Sequence, residues 1–222
     1  MGGEKPTITG SIRYITGNDG RLVHRAEIVK AEIHPRHLVA PGSTENKAVA
    51  ANIEHIRRLG GIPERGDEAG HSVPARAGGQ SGPSGNKHFI PQYHRTNMAQ
   101  AVVEDRMVDF IRRTGQIVSW EVRHFYNNEN NGHPYATIIT VNNPNFIDEK
   151  DVTGPASYLL FNPQGEEDMF ARWSATVDGR LDHPFEEESR LLRMFFDTRG
   201  VVVQGLPPFR DVPVGQGGRT CA

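Results

Sequence analysis

The stretch Asp67-Glu68-Ala69-Gly70-His71, followed by Arg76, Gly78-Gly79, Phe89-Ile90-Pro91-Gln92 and Asn97, decides how this 222-residue chain is read. Its order is strand, long loop, short strand, helix. His71 falls at the end of the first strand, and Asn97 opens the helix after the second. Such a unit brings an imidazole and an amide oxygen together across a small ββα element. The loop from Gly78 to Gly85 is too rich in glycine for regular structure. It runs into Gly85-Asn86-Lys87-His88 rather than Gly-Lys-Ser/Thr, so it fails the phosphate-loop pattern and reads as a connection.

Outward from this segment, residues 7–33 alternate apolar and polar positions around Asn18-Asp19-Gly20, the pattern of a hairpin. Residues 45–59 predict a short helix stopped by Gly60-Gly61 and Pro63. The spacing of Val103, Met107, Phe110 and Ile111 predicts a helix from Asn97 to Thr114 with one buried stripe, ended by Gly115. Ile117–Tyr126 and Tyr135–Val141 alternate as strands, joined by a turn-rich Asn127–Gly132. Trp120 and Tyr126 fall on one side of their strand, as core residues would. Further on, Phe185–Phe196 reads as an amphipathic helix, and 205–222 is rich in Pro and Gly. The expected fold class is α+β, an antiparallel sheet with a ββα unit. A domain over 1–145 carries the motif (its core 60–126), and 146–222 forms an acidic C-terminal extension.

Composition is that of an ordinary globular chain, 36% hydrophobic and 23% charged. The net charge of −2 does not by itself point to nucleic acid, but its distribution is uneven. Residues 1–144 carry 17 Lys/Arg against 14 Asp/Glu, and 145–222 carry 8 against 13. The basic character therefore lies with the motif. Cys221 stands alone, so no disulfide or cysteine-based zinc site forms within one copy. The N-terminus lacks the apolar core of a secretory signal, and no run approaches the roughly 18 apolar residues of a membrane span. The compartment stays open: export by a specialised system, or delivery into a target-cell cytoplasm, needs no such signal.

The motif residues suit phosphodiester hydrolysis. A neutral histidine with an ordinary pKa near ~6.5 takes a proton from water at working pH. Magnesium keeps several of its waters and accepts few protein ligands, so one Asn oxygen beside substrate phosphate oxygens suffices. An acid one or two helical turns past Asn97 can hold a water of the metal. Glu104 and Asp105 both qualify; helical geometry alone favours Glu104, since i to i+7 returns to nearly the same face. Blander readings stand beside these. An arbitrary histidine is more often a buried, backbone-bonded one, and an Asn at a helix start is also what an N-cap requires. Arg76 is an ordinary surface charge at about even odds.

This ordered set resembles the non-specific DNA/RNA endonucleases of the ββα-metal (His-Me finger) superfamily, especially a branch at the ends of bacterial secreted toxins. The matches are Asp67, Gly70, His71, Arg76, Gly78, Gly79, Pro91, Gln92 and Asn97, and the resemblance spans about residues 60–145. It implies a Mg²⁺- or Mn²⁺-dependent endonuclease cutting DNA and/or RNA with little sequence preference. His71 would be the base, Asn97 the metal ligand, Asp105 the water-holding acid and Arg76 a phosphate contact, with Glu68, His88 and Gln92 supporting. The chain departs from the family pattern at Glu68 (usually Asp), His88 (usually Asn), Met98-Ala99 (usually Arg-Gly) and Asp105 (usually Glu). The branch further implies a toxin role with a cognate immunity protein, for which the acidic tail or the 185–196 segment is the expected dock. The same departures admit an alternative, a catalytically inert nuclease fold that binds nucleic acid or protein.

Overall fold

The computed structural model describes residues 4–39, 49–79, 86–148, 153–164 and 201–203. The strands and helices are β1 (Ile8–Thr16), β2 (Leu22–Ile33), α1 (Val49–Arg58), β3 (Asp67–His71), β4 (Phe89–Tyr93), α2 (His94–Thr114), β5 (Val118–Phe125), β6 (Ala136–Asn142), β7 (Ala156–Phe161) and β8 (Val201–Val203). One sheet has the order β1-β2-β5-β6-β7-β8, antiparallel except for the parallel β7–β8 pair; β3 and β4 form a separate antiparallel ribbon. The fold is thus α+β, with a ββα unit formed by β3, β4 and α2. The large sheet runs on past residue 145, since β7 and β8 pair within it.

Local chemistry accounts for most of these elements. The β1–β2 hairpin turns through Gly17–Arg21, where Asp19 accepts from the Arg21 N–H and Gly20 takes a positive φ. Pro91, which donates no ladder hydrogen bond, is tolerated because β4 belongs to a two-stranded ribbon. In α2 the stripe Val103, Met107, Phe110 and Ile111 is buried as the spacing requires, and Gly115 closes the helix in the left-handed conformation with its N–H on the Ile111 carbonyl. The start of α2 departs from the sequence expectation. The helix begins at His94, three residues early, with Tyr93 as an extended N-cap. Asn97 is therefore inside the first turn, and its side chain is not spent on capping. The 185–196 helix and the 205–222 tail lie outside the described residues, as does most of the glycine-rich loop.

Behind α2 sits the main core. Trp120, Val122, Ile139 and Val141 from the sheet meet Ile90, Val103, Met107 and Ile111, and Phe110 makes an edge contact with Phe146 at 5.5 Å. Polar side chains then fasten the ββα unit to the sheet. Asn162 accepts from the Tyr93 N–H at 2.8 Å and donates to the Pro91 and Pro134 carbonyls at 2.9 Å each. Thr96 donates to the Phe161 carbonyl at 2.8 Å. His133 sits between Asp67 and the Pro134 carbonyl, and Asp67 accepts from the Ile62 N–H. On the far end of the sheet, Arg25 is almost fully buried; it donates to three carbonyls of the 128–131 loop and lies 4.1 Å over the Tyr126 ring. No helix among the described residues is long and apolar enough to cross a membrane.

Burial of histidine sets the acid stability. Desolvation, with smaller contributions from neighbouring positive groups, pushes His55 down to about 4; desolvation alone pushes His124 to about 3. Their unfolded counterparts titrate near ~6.5, so below that pH the unfolded chain binds protons that the folded chain refuses, and stability falls. Glu104, raised to about 7 by burial, acts in the opposite sense but is one group against four, since His71 and His88 are likewise pushed to about 4. Between pH 6 and 5 we expect a net loss of roughly 3–4 kcal/mol, three groups' worth of linkage at about 1.4 kcal/mol each per pH unit. Urea unfolding followed at pH 7, 6 and 5 reads this directly; a midpoint constant over that range contradicts it.

Candidate active site

The ββα unit gathers the motif residues by register and helical pitch. In the β3–β4 ribbon Glu68 lies opposite Gln92, Gly70 opposite Ile90 and His71 opposite Phe89. His71 is half-buried and its ring lies 4.3 Å from that of Phe89. Helix α2 meets β3 at both ends, so that Asn97 and Gln100, one turn apart on the helix, reach strand residues three positions apart. Asn97 Nδ2 donates to Glu68 Oε2 at 2.6 Å, and Gln100 Nε2 donates to the His71 carbonyl at 2.6 Å. One turn further, Glu104 Oε1 accepts a second bond from Gln100 at 2.7 Å.

The backbone around His71 is held on several sides. Besides the bond from Gln100, Trp120 Nε1 donates to the Ser72 carbonyl at 2.8 Å, and the Ser72 N–H donates to the His88 carbonyl at 3.0 Å. Ser72 Oγ donates to that same carbonyl at 2.6 Å and lies 2.9 Å from His124 Nε2, whose other ring nitrogen meets Thr137. Ser72, His124 and Thr137 are all buried, which makes this Ser–His contact a satisfied core network and not a nucleophile pair.

Glycine is required at three motif positions. A Cβ on Gly70 would stand 2.2 Å from Gln92 Oε1, because the Gln92 side chain crosses directly over it. Gly78 has φ +81°, and a Cβ on Gly79 would meet the Val73 carbonyl oxygen at 2.1 Å. The Gly-Gly pair lets the chain double back tightly after Arg76.

Electrostatics separates the two acids. Desolvation raises Glu104 to about 7, opposed by its hydrogen bond from Gln100 and by Arg76. Asp105 is half-exposed and forms an ion pair with Arg76. The two candidates thus differ in environment: Glu104 faces the Gln100 network and Asp105 faces the arginine. Desolvation pushes His71 down to about 4, so its imidazole is neutral throughout the physiological range. His88 is likewise pushed to about 4, by desolvation and then by Lys87, and its Nδ1 is buried without a hydrogen-bond partner. Its link to the site is through its carbonyl. Glu68 bridges two residues of α2, accepting from Asn97 through one oxygen and meeting His94 Nδ1 at 2.8 Å through the other. The sequence reading gave Glu68 a supporting role with no stated partner; the structure turns its side chain to the helix.

The oxygen donors present suit a hydrated divalent cation. Asn97 gives Nδ2 to Glu68, and its remaining polar atom, Oδ1, is of the kind such an ion accepts. Among the described residues, no three His, Cys, Asp or Glu side chains gather into a metal cage. A hard ion that keeps most of its waters asks for no such cage.

No protein-family model matches the chain, and neither does any curated protein sequence. Several solved structures resemble it, among them these two. One is an extracellular endonuclease, with 13% identity over 71% of this chain and 79% of its own, at a TM-score of 0.42. The other is NucA from Streptococcus agalactiae with no metal bound, with 14% identity over 74% of this chain and 73% of its own, at a TM-score of 0.44. At this level of likeness no residue is assigned by comparison, and the chemistry is carried by the side chains described above.

Three site features were not legible in sequence: the Gln100 bridge, the Trp120–Ser72 bond and the turn of Glu68 toward His94. A polar residue within the inward-facing stripe of α2 was the one available signal, and Gln100 supplied it. The crossing of Gln92 over Gly70 makes a prediction. Gly70→Ala should destabilise the protein by about 1–3 kcal/mol, as overpacking does. In Gly70→Ala/Gln92→Ala the amide atoms of Gln92 are gone and only the 2.8 Å approach of the Cβ at position 92 remains, so stability should recover in part relative to the sum of the single changes. Additive losses in a urea-denaturation cycle would show that Gln92 moves aside freely.

Proposed function

We propose that the chain is a metal-dependent endonuclease that hydrolyses DNA or RNA phosphodiesters with little base preference. The observation that carries this reading is the placement of His71 and Asn97 on adjoining elements of one ββα unit. The strand's His71 is held by Gln100, and Asn97 of the same helix is held by Glu68. His71, neutral at physiological pH, accepts a proton from the water that attacks phosphorus in line with the leaving oxygen. Arg76 exchanges its Asp105 partner for a phosphate oxygen, which a guanidinium binds in a planar fork. Glu68 fixes the amide of Asn97 so that Oδ1 faces a cation. Bound there, Mg²⁺ or Mn²⁺ supplies Lewis-acid neutralisation of the phosphate and leaving oxygen. Asp105, next to Arg76 at the edge of the site, is the better placed of the two acids to meet solvent-side ligands, and Glu104 serves the inner network. Contacts directed at phosphate and not at base edges account for the lack of sequence preference. A toxin role with an immunity partner belongs to the same reading, supported by the motif's resemblance alone.

The test is digestion of plasmid and of total RNA with Mg²⁺, with EDTA and with His71→Ala. Cleavage should require the cation and fall by roughly 10²- to 10⁴-fold in His71→Ala, the range of general-base catalysis. Asn97→Ala should raise the Mg²⁺ concentration needed for half-maximal cleavage. The acid limb of kcat/KM should follow His71 and lie near its value of about 4, well below that of a free imidazole. Absence of cleavage by folded protein with either cation would turn the assignment to a nucleic-acid or protein binding module.

A further inference from the structure

Gln100 is a fully buried amide in a helix stripe whose other buried residues, Thr96 apart, are apolar. Every polar group it has is engaged. Its Oε1 accepts from Gln92 Nε2 at 2.9 Å, and its Nε2 donates to the His71 carbonyl and to Glu104. Turning the amide by a half rotation would set oxygen against oxygen at two of these contacts and nitrogen against nitrogen at the third, so a single orientation is enforced. Gln92 is itself confined, buried over Gly70 where no side chain intrudes.

The two peptide groups after His71 are the ones that this network grips. Gln100 takes the His71 carbonyl, Trp120 the Ser72 carbonyl, and the Ser72 N–H goes to His88. Two of these bonds tie the peptide to the sheet and to the turn before β4. The bond from Gln100 is the only one of the three that comes from α2, the helix that also carries Asn97. It ties α2 to the end of the strand that bears the imidazole, as the Asn97 and His94 contacts with Glu68 tie it to the strand's start. The packing of α2 against the sheet does not need a polar group at this position; Val103 and Met107 beside it are purely apolar.

Granted His71 as the proton acceptor, we propose that Gln100 is a positioning residue, braced by Gln92, that fixes the His71 main chain relative to Asn97. It touches neither substrate nor metal and acts through the carbonyl of His71. A glutamine that served only to fill the core would be replaceable by leucine without change at the histidine ring.

The test compares wild type with Gln100→Leu, which keeps volume and removes the donor, and with Gln100→Met. Methionine keeps the length of the side chain but has no proton for the carbonyl, and it guards against a leucine variant that fails to fold. In plasmid cleavage both variants should lose at least 10-fold in kcat, with KM changed less than 2-fold. Independently of activity, the His71 ring signals in ¹H–¹⁵N spectra should shift in both variants, while those of His37 and His133 stay in place. Unmoved His71 signals, or shifted signals with kcat unchanged from an active wild type, overturn the proposal. A folded wild type that cleaves nothing removes the nuclease reading, and the ring signals still decide whether Gln100 places His71.

Discussion

The structure depends on how the peptide at the end of β3 is held. A histidine at the last residue of a short edge ribbon is poorly placed to be rigid, since few neighbours flank it. Here its carbonyl and the next residue's carbonyl and N–H are bonded to three different parts of the fold. Each bond is shielded from water by the surrounding core, where an unmade bond would leave a buried polar group at a cost of about 1–3 kcal/mol. The clamp thus holds because each partner needs it. Trp120 illustrates this: as the largest fully buried side chain it would carry an orphaned indole N–H without the Ser72 carbonyl.

The same constraint explains the polar character of an interior that could have been apolar. Gln92, Gln100, Ser72, Thr96, His124 and Asn162 are buried, and all lie between the ββα unit and the large sheet. Hydrophobic contact alone is non-directional and tolerates sliding of a helix over a sheet. Hydrogen bonds with defined partners fix the register between the two layers. The site residues are spread over β3, the turn after it and α2, so their mutual geometry is only as good as this register.

Desolvation is the other side of that arrangement. Placing His71, His88, His55 and His124 near the core lowers all four imidazoles and raises Glu104. For His71 this keeps the base form available in acid but weakens it as a proton acceptor. In the proposed reaction an approaching phosphate anion would work against that shift, because a nearby negative charge favours the imidazolium. The site's basicity is then greatest when substrate is bound.

Much of this was written in local sequence. The β1–β2 hairpin, the α2 stripe with its Gly115 stop and the alternation of β5 and β6 follow from periodicity and turn chemistry, which act between near neighbours. The order of Gly70-His71, Gly78-Gly79, Pro91-Gln92 and Asn97 likewise marked the ββα unit, because the glycines answer to steric limits that no other residue satisfies. Local rules misplaced the start of α2, which Tyr93 caps in place of Asn97. They also gave no partner for Glu68, which faces His94 and Asn97. Nor could they distinguish Glu104 from Asp105, since adjacent helix residues differ only in what the rest of the protein sets against them. Sequence alone determined which residues stand on the ββα unit, through spacing and steric exclusion. Tertiary structure alone decided what each one touches, because partners such as Gln100 and the His71 carbonyl, 29 residues apart, meet only when helix and strand have packed.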